Sequence, residues 1–217
     1  MKFIVFDTET TGLPKKRNAD PKETHLFPYI VQISWLVFDT SSDEIITLRD
    51  EIVRLPDGVE IPESATKIHG ITQEKMLTDG KNVDGVLREF LHDVDSCTYL
   101  VAHNIDFDKT LVEVECIRNG VPKSLLAYSK MEYCTMKQSK SFCKLVKYNA
   151  YFKKNMLKYP KLVELHQKLF NSVPKNLHNS LIDVLVCCRC FYSLVFAIDM
   201  VETNVEFKQH FTQHCGL

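Results

Sequence analysis

The order of strand and helix signals predicts an α/β domain with a mixed sheet covered by helices. Three observations carry that expectation. Strand-like runs separated by turn residues fill the first quarter of the chain. Apolar residues at helical spacing then alternate with a short apolar run. The 217 residues suit one ordinary domain, able to bury roughly 70% of the surface the unfolded chain exposes.

Residues 2–6 are rich in β-branched and aromatic side chains and read as the first strand, which Thr11, Gly12 and Pro14 then interrupt. The polar stretch 15–25, with Lys15, Lys16 and Arg17, reads as an exposed loop. Residues 29–38 and 44–54 read as two strands joined by a hairpin or meander turn at 39–43. From 62 to 94 the pattern becomes that of an amphipathic helix, with Val86, Leu87, Phe90, Leu91 and Val94 recurring on one face. A short apolar strand at 99–102 follows. Phe107, Leu111, Val114 and Ile117 then continue at helical spacing until Gly120 ends the run. The stretch 137–174 lacks a firm period and reads as mostly helical, and 181–200 reads as a strongly apolar closing helix. The chain is therefore expected to be a domain over residues 1–200 followed by a tail, 201–217, without a decisive pattern. No internal repeat or Gly/Ser linker divides it.

Composition narrows the setting. A formal net charge of -1 with 25% charged residues describes a soluble globular protein, so any nucleic-acid affinity has to come from local clusters of Lys and Arg. The eight cysteines lie in apolar or mixed stretches, which suits free thiols in a reducing compartment. Cys187, Cys188 and Cys190 lack a second ligand cluster at zinc spacing and are expected in the core. No run has the roughly 20 apolar residues that span a bilayer, and the apolar start is too short for a signal peptide. The expectation is an intracellular protein, in cytoplasm or nucleus, with no membrane partner.

Three acidic clusters carry chemistry. Asp7 and Glu9 are two apart, so their side chains share a face if the strand continues. Two like charges near 4 Å repel by about 4 kcal/mol at an effective dielectric of 20, so such a pair awaits a cation, unless it is a solvated strand end. Asp106 and Asp108 start a helix; as first-turn acids they suit its dipole, and spacing does not choose between them as ligands. His178 and Asp183 stand at another helix start, where Ser180 and Asp183 also fit a capping box. At 100° per residue, His178 and Asp183 would lie about 140° apart on one helix, which puts His178 in the preceding loop.

These clusters, read as FDTETTG at 6–12, AHNIDFD at 102–108 and HNSLID at 178–183, together with IHGIT at 68–72, resemble the DEDDh 3′→5′ exonucleases of the ribonuclease H-like superfamily. The resemblance implies a mixed five-stranded sheet flanked by helices. It also implies Asp7, Glu9, Asp108 and Asp183 as ligands of two Mg2+ ions, with Mn2+ as substitute, and His178 as general base. It places Thr8, Thr10, Leu13, His69, Asn104 and Phe107 against the terminal nucleotide. The partner so implied is nucleic acid with a free 3′ end, DNA before RNA, with a polymerase or a second copy as further partners. An exoribonuclease, a polymerase-associated subunit and a catalytically silent binding module are the alternatives. The chain departs from the family in a longer stretch between Leu13 and Tyr29, in Gln32 where many members have Glu, and in 137–174. There Lys137, Lys140, Lys144, Lys147, Lys153, Lys154 and Lys158 interleave with aromatics, as a solvated helix face or a strand-binding groove would.

Overall fold

A computed structural model describes residues 1–122, 130–175 and 177–216. Strand β1 (Lys2–Thr10) pairs antiparallel with β2 (Ile30–Asp39), which pairs antiparallel with β3 (Glu44–Ile52). On its other side β1 runs parallel to β4 (Tyr99–Ala102), and β4 runs parallel to β5 (Met131–Cys134). The sheet order is β3-β2-β1-β4-β5. β5 escapes the sequence reading because it is four residues long and half exposed, which leaves it no alternation to read.

The single helix expected at 62–94 is three: α1 (Glu63–His69), α2 (Gln73–Asp79) and α3 (Val83–Ser96). Gly70 ends α1 with a left-handed φ of 75°, and the Thr72 hydroxyl caps α2. A side chain at Gly80 would lie 2.2 Å from the Met76 carbonyl, so the chain turns there and Asn82 caps α3. Helix α4 (Ile105–Arg118) follows β4.

The stretch 137–174 is also corrected. It holds two one-turn helices, α5 (Thr135–Gln138) and α6 (Lys140–Cys143), and then a hairpin of β6 (Val146–Asn149) and β7 (Lys154–Leu157). Helix α7 (Leu162–Phe170) comes after them. The closing helix α8 (Ser180–Phe196) stops short of residue 200 at a left-handed Ala197. The residues beyond form α9 (Met200–Thr203) and α10 (Val205–Cys215).

Alternation along β1 and β2 divides the core in two. Ile4, Phe6, Ile33, Trp35 and Val37 pack on α3 and α4, while Phe3, Val5, Leu36 and Phe38 pack on α8 and α10. Phe207, Phe211 and Cys215 of α10 are fully buried in that second layer. All eight cysteines are free and buried, with Cys187, Cys188 and Cys190 among the α8 core residues. Among the described residues, no helix is long and apolar enough to cross a membrane.

Candidate active site

The period of two that sends Phe3 and Val5 toward α8 also sends Asp7 and Glu9 there, because β1 keeps its regular pairing with β2 as far as Glu9. Helix α8 delivers Asp183 in its first turn. One carboxylate oxygen each from Asp7, Glu9 and Asp183 lies within 4.8 Å of the others.

Ser180 sets that approach. Its hydroxyl donates to the Asp7 carbonyl at 2.6 Å and accepts from the Ser34 N–H at 3.0 Å, directly across the β1–β2 register. The capping box foreseen for Ser180 and Asp183 does not form, since Ser180 is committed to the sheet. Gln32, buried at the Glu family position, accepts from the Ser180 N–H at 3.2 Å and donates to Asp50 at 2.6 Å. Ser34 and Gln32 are site-building residues outside the motifs; Gln32 was marked only as a departure from the family, and Ser34 only by its polarity inside an otherwise apolar strand.

Asp108 arrives from the first turn of α4 and is 3% exposed. Its Oδ1 accepts from the Thr8 hydroxyl at 2.8 Å and from the Thr8 N–H at 3.1 Å. Asp106, one face away, is exposed and paired with Lys137 at 2.5 Å. Geometry thus separates two aspartates that spacing left equivalent. Thr8 holds Asp108 through its side chain, so its hydroxyl is already engaged.

The four carboxylates disturb one another. Burial, followed by the charges of Asp108, Asp183 and Glu9, holds Asp7 well above the usual carboxylate range. Burial and the Asp183 and Asp108 charges push Glu9 up to about 8. Burial raises Asp108 and Asp183 to about 7, opposed by Thr8 for the former and by the His178 N–H for the latter. Four desolvated groups of one sign, with oxygen donors only, fit a hard divalent cation that would neutralise them.

His178 lies outside α8, as the angular argument requires, in a left-handed turn with φ 72°. Its backbone N–H donates to Asp183 Oδ2 at 3.3 Å, and its exposed imidazole makes no hydrogen bond among the described residues. Beside the carboxylates, a cavity of about 490 Å³ is lined by Thr8, Glu9, Thr10, Leu13, Ile68, His69 and Phe107. His69 is buried. Its Nδ1 accepts from the Ile71 N–H at 3.1 Å; burial holds the imidazole below its usual range against the Thr10 backbone beside it, and Nε2 makes no well-aligned hydrogen bond among the described residues. The Thr10 hydroxyl donates to the Gly12 carbonyl at 2.6 Å. Asn104, a left-handed N-cap with φ 78°, lines an adjoining cavity of about 470 Å³ that shares Leu13 and Phe107 with the first.

An acidic site at the carboxyl ends of β1 and β4, closed by a helix from the far end of the chain, defines an α/β protein of the nuclease class. The chain belongs to the RNase T exonuclease family, whose model matches residues 4–191. It is 32% identical over 120 residues to a PolC-type DNA polymerase III of Streptococcus suis, and 31% over 121 residues to that of Streptococcus sanguinis. Those matches cover 55% and 56% of this chain but only 7% of each polymerase. Among solved structures it is similar to Escherichia coli exonuclease I in complex with a dT13 oligonucleotide. That likeness has a TM-score of 0.65 at 16% identity and covers 98% of this chain and 44% of the other. Exonuclease I of Methylocaldum szegediense gives 0.64 at 16% identity, covering 94% and 43%. The five-stranded sheet flanked by helices is the ribonuclease H-like fold that the resemblance implied.

Proposed function

We propose that the chain is a 3′→5′ exonuclease that shortens single-stranded nucleic acid, DNA before RNA, releasing nucleoside 5′-monophosphates. The observation that carries this reading is the convergence of Asp7, Glu9 and Asp183 within 4.8 Å, with Asp108 buried alongside. Asp7, Glu9, Asp108 and Asp183 would hold two divalent cations, Mg2+ with Mn2+ as substitute, which supply Lewis-acid activation of phosphate and water at neutral pH.

His178 is the general base: its exposed imidazole takes a proton from the attacking water and can release it to solvent. The water oxygen bonds to phosphorus as the bond from phosphorus to the 3′ oxygen breaks. That oxygen leaves on the shortened strand and ends as a hydroxyl. Thr8 keeps Asp108 in place throughout, and the backbone N–H of His178, bonded to Asp183, holds the turn that carries the base beside the ligand set. The terminal nucleoside occupies the cavity between Leu13, Ile68 and Phe107, where His69 Nε2 offers the buried polar contact. The volume is within the range of small-ligand sites. The similar exonuclease I structure in complex with dT13 supports DNA, and the PolC-type relatives support a polymerase as the larger setting.

The test is a matched pair of 5′-labelled single strands, DNA and RNA, incubated with Mg2+ or with EDTA. A ladder shortening from the 3′ end, abolished by EDTA and strongly slowed by His178→Ala and Asp183→Asn, is the expected result. Preference for the RNA strand would reassign the sugar. No shortening with any divalent metal would overturn the catalytic reading in favour of a silent binding module.

A further inference from the structure

Between Glu132 and Glu164 the chain carries eight lysines and no acidic residue, in a protein of net charge -1. The centre of that stretch is the β6–β7 hairpin, which supplies no residue to the carboxylate cluster or to the cavity beside it. Its strands are almost wholly exposed on both faces. A two-stranded hairpin without a packed face is marginal in water, so this arm calls for a partner.

The register sorts its side chains. Lys147 lies opposite Met156, and Asn149 opposite Lys154, so these four share one face, while Val146, Tyr148, Asn155 and Leu157 share the other. A hollow of about 390 Å³ is lined by Lys147, Asn149 and Met156 together with Tyr148 and Leu157. At the tip, Tyr151 is 87% exposed and its ring meets Phe152 edge-on at 4.9 Å, which leaves aromatic face open to solvent. Lys147, Lys153 and Lys154 form no ion pair among the described residues, whereas Lys137 and Lys158 are engaged with Asp106 and Glu164.

The arm is pinned beside the candidate site. The Lys158 N–H closes its base on the Leu145 carbonyl at 2.9 Å. Just beyond, the Pro160 carbonyl lies 3.1 Å from His103 Nε2, at the end of β4 where α4 and Asp108 begin. A carbonyl only accepts, so Nε2 carries the proton and Nδ1 accepts from the Thr135 hydroxyl at 2.9 Å. Burial pushes His103 down to about 4, so this clamp is uncharged at neutral pH.

We propose that the β6–β7 hairpin is a second contact for a single-stranded nucleic acid, with phosphates on Lys147 and Lys154 and an unstacked base against Tyr151 and Phe152. The proposal deepens the exonuclease reading and rests on nucleic acid being the substrate. Uniform positive charge argues for a polyanion, and open aromatic faces argue for unpaired bases, because bases in a duplex are already stacked.

The test is fluorescence anisotropy of the whole chain with a long 5′-fluorescein oligothymidylate in EDTA, where no cleavage is needed for a signal. Tyr151→Ala with Phe152→Ala should weaken binding about 10-fold or more. Lys147→Gln with Lys154→Gln should reduce the slope of log affinity against log salt by about 1.4. Hydrolysis of a dinucleotide in Mg2+, which reaches only the carboxylate site, should match wild type in both variants, and melting curves confirm their folding. Loss of dinucleotide hydrolysis in the wild type, with arm-dependent binding retained, would sink the catalytic reading and leave the arm standing. Unchanged affinity and salt slope in both variants would overturn the arm and point to a protein partner or second copy there. A wild type that does not bind the strand would overturn it as well.

Discussion

Helix α8 holds two buried polar clusters that follow opposite charge logic. At its middle, Arg189 is bonded to both oxygens of Asp199, at 2.8 and 2.7 Å, and donates to His166 Nε2 at 3.1 Å. Its guanidinium also lies 3.9 Å from the Phe170 ring centroid. Burial pushes the Asp199 carboxyl up, but the Arg189 bonds and charge outweigh it, and the group settles below the usual carboxylate range. In its first turn the same helix places Asp183 against Asp7 and Glu9, and the whole set is pushed upward. One cluster is complete within the chain and reads as structure. The other is incomplete until a cation arrives and reads as a site.

Substitutions at the two clusters should move opposite observables. Asp183→Asn should lower exonuclease activity by at least about 10³-fold, the loss of several kcal/mol of charge stabilisation. The metal-free protein should melt no lower than wild type, since a like charge has been removed. A variant that keeps near-wild-type turnover in a ladder assay would break the comparison. Arg189→Leu should do the reverse, destabilising by about 3 kcal/mol because the Asp199 charge loses its partner. Urea titration measures that loss, and turnover per folded molecule should be unchanged. His178→Ala should cost about 10²–10³-fold in kcat with little change in KM, the usual worth of a positioned base.

The smallest effect concerns pH. The site carboxylates titrate higher in the folded chain than in the unfolded one, so the folded state binds more protons from the ordinary carboxylate range up to about pH 8. These groups therefore erode the stability of metal-free protein as pH rises through that window. Saturating Mg2+ should reverse this, raising Tm by roughly 5–10 °C at pH 8 and by less at pH 6. Calorimetric scans at both pH values, with and without EDTA, read the difference. An Mg2+ effect larger at pH 6 would contradict it.

How much of this was legible in the sequence follows from how each region is buried. β3 and α3 pack one face on a core and write their period into the chain, whereas β1, β2 and β4 are buried on both faces and show as apolar runs bounded by turn residues. The β6–β7 arm packs neither face, so its Tyr and Lys residues carry no period and pass for a helix surface. Helix α10 was missed although Phe207, Phe211 and Cys215 recur every fourth residue, because polar residues fill the positions between them. At the site, the three motifs named the carboxylates, but one-dimensional spacing could not weigh Asp106 against Asp108. The hydrogen bonds from Thr8 make that distinction, and they span 100 residues. Ser34 was invisible for the same reason, and Gln32 stood out only as a departure from the family, since the importance of both lies in what α8 brings to them.

The central claim is that the acidic cluster is a divalent cation site to which Asp108 belongs and Asp106 does not. Isothermal titration of Mn2+ into metal-free wild type, Asp108→Asn and Asp106→Asn tests it directly. The account predicts binding by the wild type, weaker or substoichiometric binding by Asp108→Asn, and wild-type binding by Asp106→Asn. Indistinguishable titrations of Asp108→Asn and wild type would contradict it.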